Sequence, residues 1–377
     1  MRLKNKYQKL LSCYLKDFEP YTGEISIPML VEKRGISKND LIKLDANEND
    51  FIDKEWLNEI LRKAINEIDI TRYPDPQAYE LRKIIAKYQN TKIDNIIMGN
   101  GTDDLIDCII RMFLDHKSDI IVIEPTFSMY KYSASMIGSS YTPVLLKPNF
   151  DLDIQKLENS IKPNTKLIFI CSPNNPTANQ FFVKEISNIL DLTDKIVVID
   201  EAYVDFARYS ISKDTNLIDK YDNLVLLKSY SKSWGLAGLR AGYAIANPEI
   251  IEFLRSIRKV YNFNSVAQAM LLEMYKNYDD IQSKIEQIKK ERQWLSNQIS
   301  KFQDLLVYPS ETNFILIKLI NNRFKISQIM DKFLTKNILI RDRSNLPLLD
   351  NCFRITVSNR KTNLCVIETL KTILKEE

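Results

Sequence analysis

Four short stretches of this 377-residue chain gather residue types that do chemistry. In SYSKSWGLAGLR (229–240), Lys232 stands among Ser229, Ser231 and Arg240, directly after an apolar run. A lysine beside a cationic neighbour and partly withdrawn from water loses proton affinity and becomes a nucleophile. The two hydroxyls and the guanidinium make a set of phosphate ligands. In VVIDEAYVDF (197–206), Asp200 ends a continuous apolar run, a costly position for a carboxylate without a partner. A cationic ring nitrogen is one such partner; a salt bridge or a helix cap would also serve. SPNNPT (172–177) reads as a turn with two side-chain amides facing the crevice beyond a strand end, or as a plain turn. GNGTDD (99–104) opens a helix, which Thr102 or Asp103 can cap, and its first-turn N–H groups can bind a phosphate. Alone it reads equally as an ordinary βα turn. It is not GxGxxG, and no GxxxxGK[ST] occurs, so nucleotide-binding folds gain little support.

Together, a strand-end carboxylate, a strand-end lysine, an amide turn and a phosphate-binding helix start meet the requirements of pyridoxal phosphate. The lysine takes the aldehyde as a Schiff base. The aspartate keeps the pyridine nitrogen protonated, so that the ring can accept electrons from a substrate's Cα.

The elements that must hold these groups alternate helix and short apolar strand. Helical periodicity runs through 55–69, 78–88 and 102–115, with another helix beginning near Phe127. Strands are expected at 95–98, 119–124, 141–146, 166–171, 195–200, 223–229 and 242–246. Several are unbroken β-branched and apolar runs, the pattern of strands covered on both faces in a mostly parallel sheet. The expected fold class is α/β and doubly wound. After about residue 260, two long helical stretches lead to TNFILIKL, a helix near 326–336, CFRITV and a final helix. That pattern predicts a large domain over 46–264 and a smaller one from 1–45 and 265–377.

Composition narrows the field. Lysine plus arginine (53) exceeds aspartate plus glutamate (49) by only four, a dispersed and weak field that argues against nucleic acid as partner. The single histidine, His116, lies in a polar stretch, which excludes a histidine-rich metal site. The five cysteines are scattered without CxxC and read as reduced thiols of a cytoplasmic protein. No signal peptide and no membrane-length apolar run are apparent. Glycine is scarce, eight residues, about a third of ordinary usage. Five of these lie at 99, 101, 235, 238 and 242, where positive φ or close backbone approach is therefore expected.

These motifs have a familiar order. The chain resembles the class I/II, fold-type-I aminotransferases, and within them it is similar to the histidinol-phosphate aminotransferase family. The resemblance runs through EPY (19–21), KLDANEN (43–49), TRYPDPQAYELR (71–82), GNGTDDLI, EPTFSMY (124–130), CSPNNPT, DEAYVDF, SYSKSWGLAGLRAGYAIA, SETNFIL (310–316), ILIRDR (338–343) and FRITV (353–357). It implies that Lys232 carries the cofactor and shuttles the proton, and that Asp200 pairs with the ring nitrogen. Tyr203 and Asn175 would bond the ring hydroxyl, with Phe127 stacked on the ring. Thr102 and Asp103, through their backbone N–H groups, with Ser229, Ser231 and Arg240 would hold the phosphate. Tyr73 would reach the cofactor of a second subunit, making a homodimer. Arg354, with Arg341 and Tyr21 beside it, would anchor the anionic end of the substrate.

Two positions depart from the family pattern: NPTG reads NPTA, with Ala178, and NENP reads NEND, with Asp50. The implied reaction is amino transfer between an amino acid such as glutamate and a small phosphorylated carbonyl compound. The near rival is decarboxylation of a phosphorylated amino acid, which starts from the same complex. A silent regulatory domain is a third reading, opposed by the complete set of cofactor ligands.

Overall fold

The computed structural model describes residues 9–15, 26–320 and 324–375. Its centre is a seven-stranded sheet in the order Ile96–Gly99, Gly242–Ala246, Leu224–Ser229, Ile196–Asp200, Thr165–Cys171, Asp119–Glu124, Ser140–Leu145. Gly242–Ala246 alone runs opposite to the other six strands. The strands fall within a residue of their expected positions. Their unbroken apolar runs have a simple cause. Leu167 and Phe169 enter one buried cluster while Ile168 and Ile170 enter the other, so both faces of the pleat are core. The helices Thr102–Phe113, Met129–Met136 and Pro248–Ile257 supply the first cluster.

A second, antiparallel sheet joins Arg341–Asp342, Cys352–Thr356, Phe314–Leu319 and Leu305–Val307 in that order. Helices Tyr278–Ile299, Ile326–Thr335 and Arg360–Lys375 pack around it. Ile42–Lys43 pairs in parallel with Ile338–Leu339, which docks the early chain beside this sheet. Helix Ser265–Lys276 packs instead on Lys54–Asn66 and Tyr79–Tyr88. Among the described residues, no helix is long and apolar enough to cross a membrane.

Register aligns the strand ends that matter. Gly99 faces Gly242, Gly242 faces Ser229, and Asp200 lies between Cys171 and Leu227. The stretches 99–104 and 229–240, more than a hundred residues apart, thus emerge side by side. Gly242 is required there, because a Cβ would sit 2.9 Å from Lys228 O and 3.0 Å from Thr102 N.

Candidate active site

Beyond these strand ends opens a cleft of about 1280 Å³ between the two sheets. Every described residue given a catalytic, cofactor-binding or substrate-binding role from the sequence lines it except Tyr73. Tyr21 lies outside the described residues.

Asp200 forms the floor. Its side chain is buried, with Oδ2 accepting the Tyr130 hydroxyl at 2.7 Å and Oδ1 accepting the Ala202 N–H at 3.0 Å. Burial pushes its carboxyl up to about 6, and the Tyr130 and Ala202 hydrogen bonds pull the other way. The partner at the strand end is therefore neither salt bridge nor helix cap. Tyr130, stacked on Phe169 at 4.7 Å, escaped the sequence reading although it ends the motif EPTFSMY. Phe127, expected to begin the helix that carries Tyr130, lies just before its N-cap Ser128, edge-on to Tyr130 at 5.8 Å.

Lys232 projects from a loop that is clamped on the side away from the cleft. Ser233 Oγ donates to Asp205, Asn49 Nδ2 donates to Ser233 O at 2.8 Å, and Trp234 packs against Tyr230 and Tyr275. The Lys232 amine donates to the carbonyl of Ala46 at 2.9 Å and stands 5.9 Å from the centre of the Tyr203 ring. Tyr203 is buried, and its hydroxyl accepts from Asn47 Nδ2 at 2.9 Å. Burial pushes its phenol up to about 12, opposed by the nearby Arg354 and by the Asn47 hydrogen bond.

The expected capping of the helix at 102 is corrected. Gly101, at φ +83°, occupies the N-cap position without a side-chain cap, and Thr102 is already the first helical residue. The Asp103 carboxylate instead meets Arg240 Nη2 at 2.9 Å. Nothing polar from the cap then competes for the first-turn N–H groups, a ready anion site. A Cβ on Gly101 would lie 2.7 Å from that same Arg240 nitrogen, so glycine lets the guanidinium close over the helix start. Ser229 Oγ accepts the Ser231 N–H at 3.1 Å, which tightens the neighbouring turn. Of the five singled-out glycines, Gly238 alone has neither positive φ nor a close neighbour.

Only one of the two expected amides faces the crevice. Asn175 Oδ1 accepts from Arg354 Nη1 at 2.6 Å. Asn174 turns inward and ties the loop to Pro125 O, Thr126 and Thr177. Arg354 is buried, lies over the Phe314 ring, and also donates to the carbonyl of Asp45. Arg341 is its direct partner across the antiparallel strands. Like charges placed opposite each other in a sheet repel, which suits an anion lying between them.

Tyr73 is kept out of this cleft. It is 80% exposed and stacks on Tyr261 at 4.4 Å beside a separate hollow.

The two departures have structural consequences. Ala178 is fully buried at φ +67°, a left-handed conformation that glycine adopts without a Cβ penalty. The Asp50 carboxylate accepts from Ser358 Oγ, next to the start of the final helix; burial raises its proton affinity and the Ser358 bond opposes that.

The segment 45–49 was legible as a motif but not as a hub. Its Asp45 and Ala46 carbonyls, Asn47 amide and Asn49 amide reach Arg354, Lys232, Tyr203 and Ser233 respectively. Two of these are backbone contacts, which no side-chain pattern announces.

The donor set fits pyridoxal phosphate. There is a buried carboxylate for the ring nitrogen, an amine on a fixed loop, a phenol and an amide for the ring hydroxyl, and a helix start with Arg240 for the phosphate.

Comparison with known proteins agrees. The family model described as aminotransferase class I and II matches residues 39–370. The histidinol-phosphate aminotransferase of Cytophaga hutchinsonii is 36% identical over 337 residues, 88% of this chain and 91% of its own. The structure of histidinol-phosphate aminotransferase from Sinorhizobium meliloti in complex with pyridoxal-5'-phosphate superposes with a TM-score of 0.86 at 20% identity, covering 97% of each chain. L-threonine-O-3-phosphate decarboxylase from Porphyromonas gingivalis superposes with a TM-score of 0.76 at 25% identity, over 89% of this chain and 100% of that one.

Proposed function

From its membership of the class I and II aminotransferases, the family to which this chain belongs, we propose a reaction with histidinol phosphate and imidazole-acetol phosphate as its pair, and glutamate as the other amino-group partner. The chain is a pyridoxal-phosphate-dependent transaminase. The cofactor, when bound, supplies an electron sink for the bond broken at the substrate's Cα. Lys232 is the residue whose amine would hold the cofactor aldehyde and would move the proton at Cα. Asp200 holds the ring nitrogen, and Tyr203 and Asn175 hold the ring hydroxyl, with Phe127 stacked on the ring. Thr102, Asp103, Ser229, Ser231 and Arg240 hold its phosphate. Arg354 grips the substrate's anionic end, with Arg341 and Tyr21 beside it. Tyr73 serves the neighbouring site of a cytoplasmic homodimer, and residues 46–264 form the cofactor-binding unit. The remainder of the chain (1–45 and 265–377) forms the smaller unit.

The observation that carries this reading is the buried Arg354 opposite Arg341, facing Lys232 and Asp200 across one cleft. Two neighbouring cations suit a substrate bearing both phosphate and a second polar end. Mixing the purified holoprotein with histidinol phosphate and, separately, with glutamate tests it. Conversion of the visible chromophore to the amine form by both compounds is expected. Release of carbon dioxide from threonine phosphate, without that conversion, would favour decarboxylation instead.

A further inference from the structure

Asn47 is 1% exposed and sits at φ +56°. Asparagine tolerates that region better than most residues. The conformation is held from both sides: the Asn47 N–H donates to Thr356 Oγ1 at 3.0 Å, and its carbonyl accepts from Asn313 Nδ2 at 3.0 Å. Thr356 lies two residues beyond Arg354 on the same strand. Thr356 Oγ1 donates to Leu44 O at 2.9 Å and lies 3.3 Å from Asn47 Oδ1, and the Asn47 amide nitrogen points at Tyr203 Oη, 2.9 Å away.

A phenol has one hydrogen to give and can accept from others. With Asn47 donating to it, Tyr203 cannot spend its own hydrogen on that neighbour. We propose that Asn47 is a positioning residue, which turns the Tyr203 hydrogen into the cleft, where it is available to the oxygen of the cofactor's ring hydroxyl. This rests on the reading of Tyr203 given above and adds the group that sets its donor direction. Among the other groups facing Tyr203, Arg354 and Lys232 are cations and cannot accept its hydrogen. Asp200 accepts from Tyr130 and Ala202, Cys171 donates to Pro173 O, and Phe314 meets the ring edge-to-face.

The test is the pH titration of visible absorbance in the purified holoprotein, with melting temperatures measured in parallel. A ring oxygen that loses a donor keeps the neighbouring proton to higher pH, so the midpoint rises. Asn47→Asp offers only an acceptor when ionised and draws the Tyr203 hydrogen back. Asn47→Gly removes the side chain while keeping the positive φ free of strain. We expect Asn47→Asp to raise the midpoint by about one pH unit, as Tyr203→Phe should, with Asn47→Gly between it and the wild type. If both Asn47 variants titrate as wild type while Tyr203→Phe rises, the inference is wrong and the reading of Tyr203 survives. If Tyr203→Phe also titrates as wild type, that reading falls and the inference with it. Lower melting temperatures at an unchanged midpoint would reduce Asn47 to a structural residue and overturn the proposal.

Discussion

Arg240 and Asp103 meet at 2.9 Å at the mouth of the cleft, their side chains 44% and 42% exposed, whereas Arg354 and Asp200 on its floor are each 3% exposed. The same two residue types serve in opposite surroundings. At the mouth they pair with each other, and water screens them. On the floor each is held by hydrogen bonds to neutral groups: Asn175 and the Asp45 carbonyl for the arginine, Tyr130 and the Ala202 N–H for the aspartate. Exposed charge can be exchanged for a ligand's charge at little cost. Buried charge has to be pre-arranged, and there it confers direction and selectivity.

The sharpest way to break this contrast is to truncate one arginine at each end. Arg354→Ala should lower kcat/KM for a carboxylate substrate by about 100- to 1000-fold, because a buried charged hydrogen-bonding group is lost. Arg240→Ala should act chiefly on cofactor retention, weakening it about 10-fold at low salt. Equal losses of kcat/KM in both variants, at saturating cofactor, would erase the distinction.

Asp200 sharpens it through pH. Its carboxyl is raised by burial to about 6 from 3.8, so the folded apoprotein binds this proton more tightly than the unfolded chain does. Its contribution to stability therefore falls as pH rises from about 4 to 6, by roughly 3 kcal/mol at most. Apoprotein Asp200→Asn should lose this slope and gain on the wild type over that range in urea unfolding. Parallel pH profiles for the two proteins would show that the floor is not the low-dielectric site described.

For the proposed homodimer, Tyr73→Phe should raise the cofactor dissociation constant about 5-fold, the loss of one hydrogen bond to an anion. An unchanged constant would remove Tyr73 from the neighbouring site. The smallest effect concerns Ala178. Ala178→Gly should stabilise the protein by about 0.5–1 kcal/mol, relief of a left-handed alanine partly offset by the flexibility of glycine in the unfolded chain. A lower melting temperature would mean that the buried methyl group matters more than the backbone.

What could be read from the sequence follows the same division. Strand positions were legible because two-sided burial leaves continuous apolar runs, and Asp200, Ser229 and Lys232 were found because they end or closely follow such runs. The scarcity of glycine pointed correctly to Gly101, Gly235 and Gly242. The pairing of Tyr130 with Asp200 was not legible, since it joins residues 70 positions apart through a neutral hydroxyl. Nor was the capping: Thr102 and Asp103 have the right chemistry for an N-cap but lie one and two residues too far along. The carbonyls of Asp45 and Ala46 carry no side-chain signature at all.

Lys232 is the proposed point of covalent attachment. Reducing the holoprotein with borohydride and mapping the modified peptide tests this directly. The prediction is a stable pyridoxyl adduct on Lys232 within SYSKSWG, absent from Lys232→Ala. An adduct on a different lysine, or none from protein that retains its visible absorbance, would contradict it.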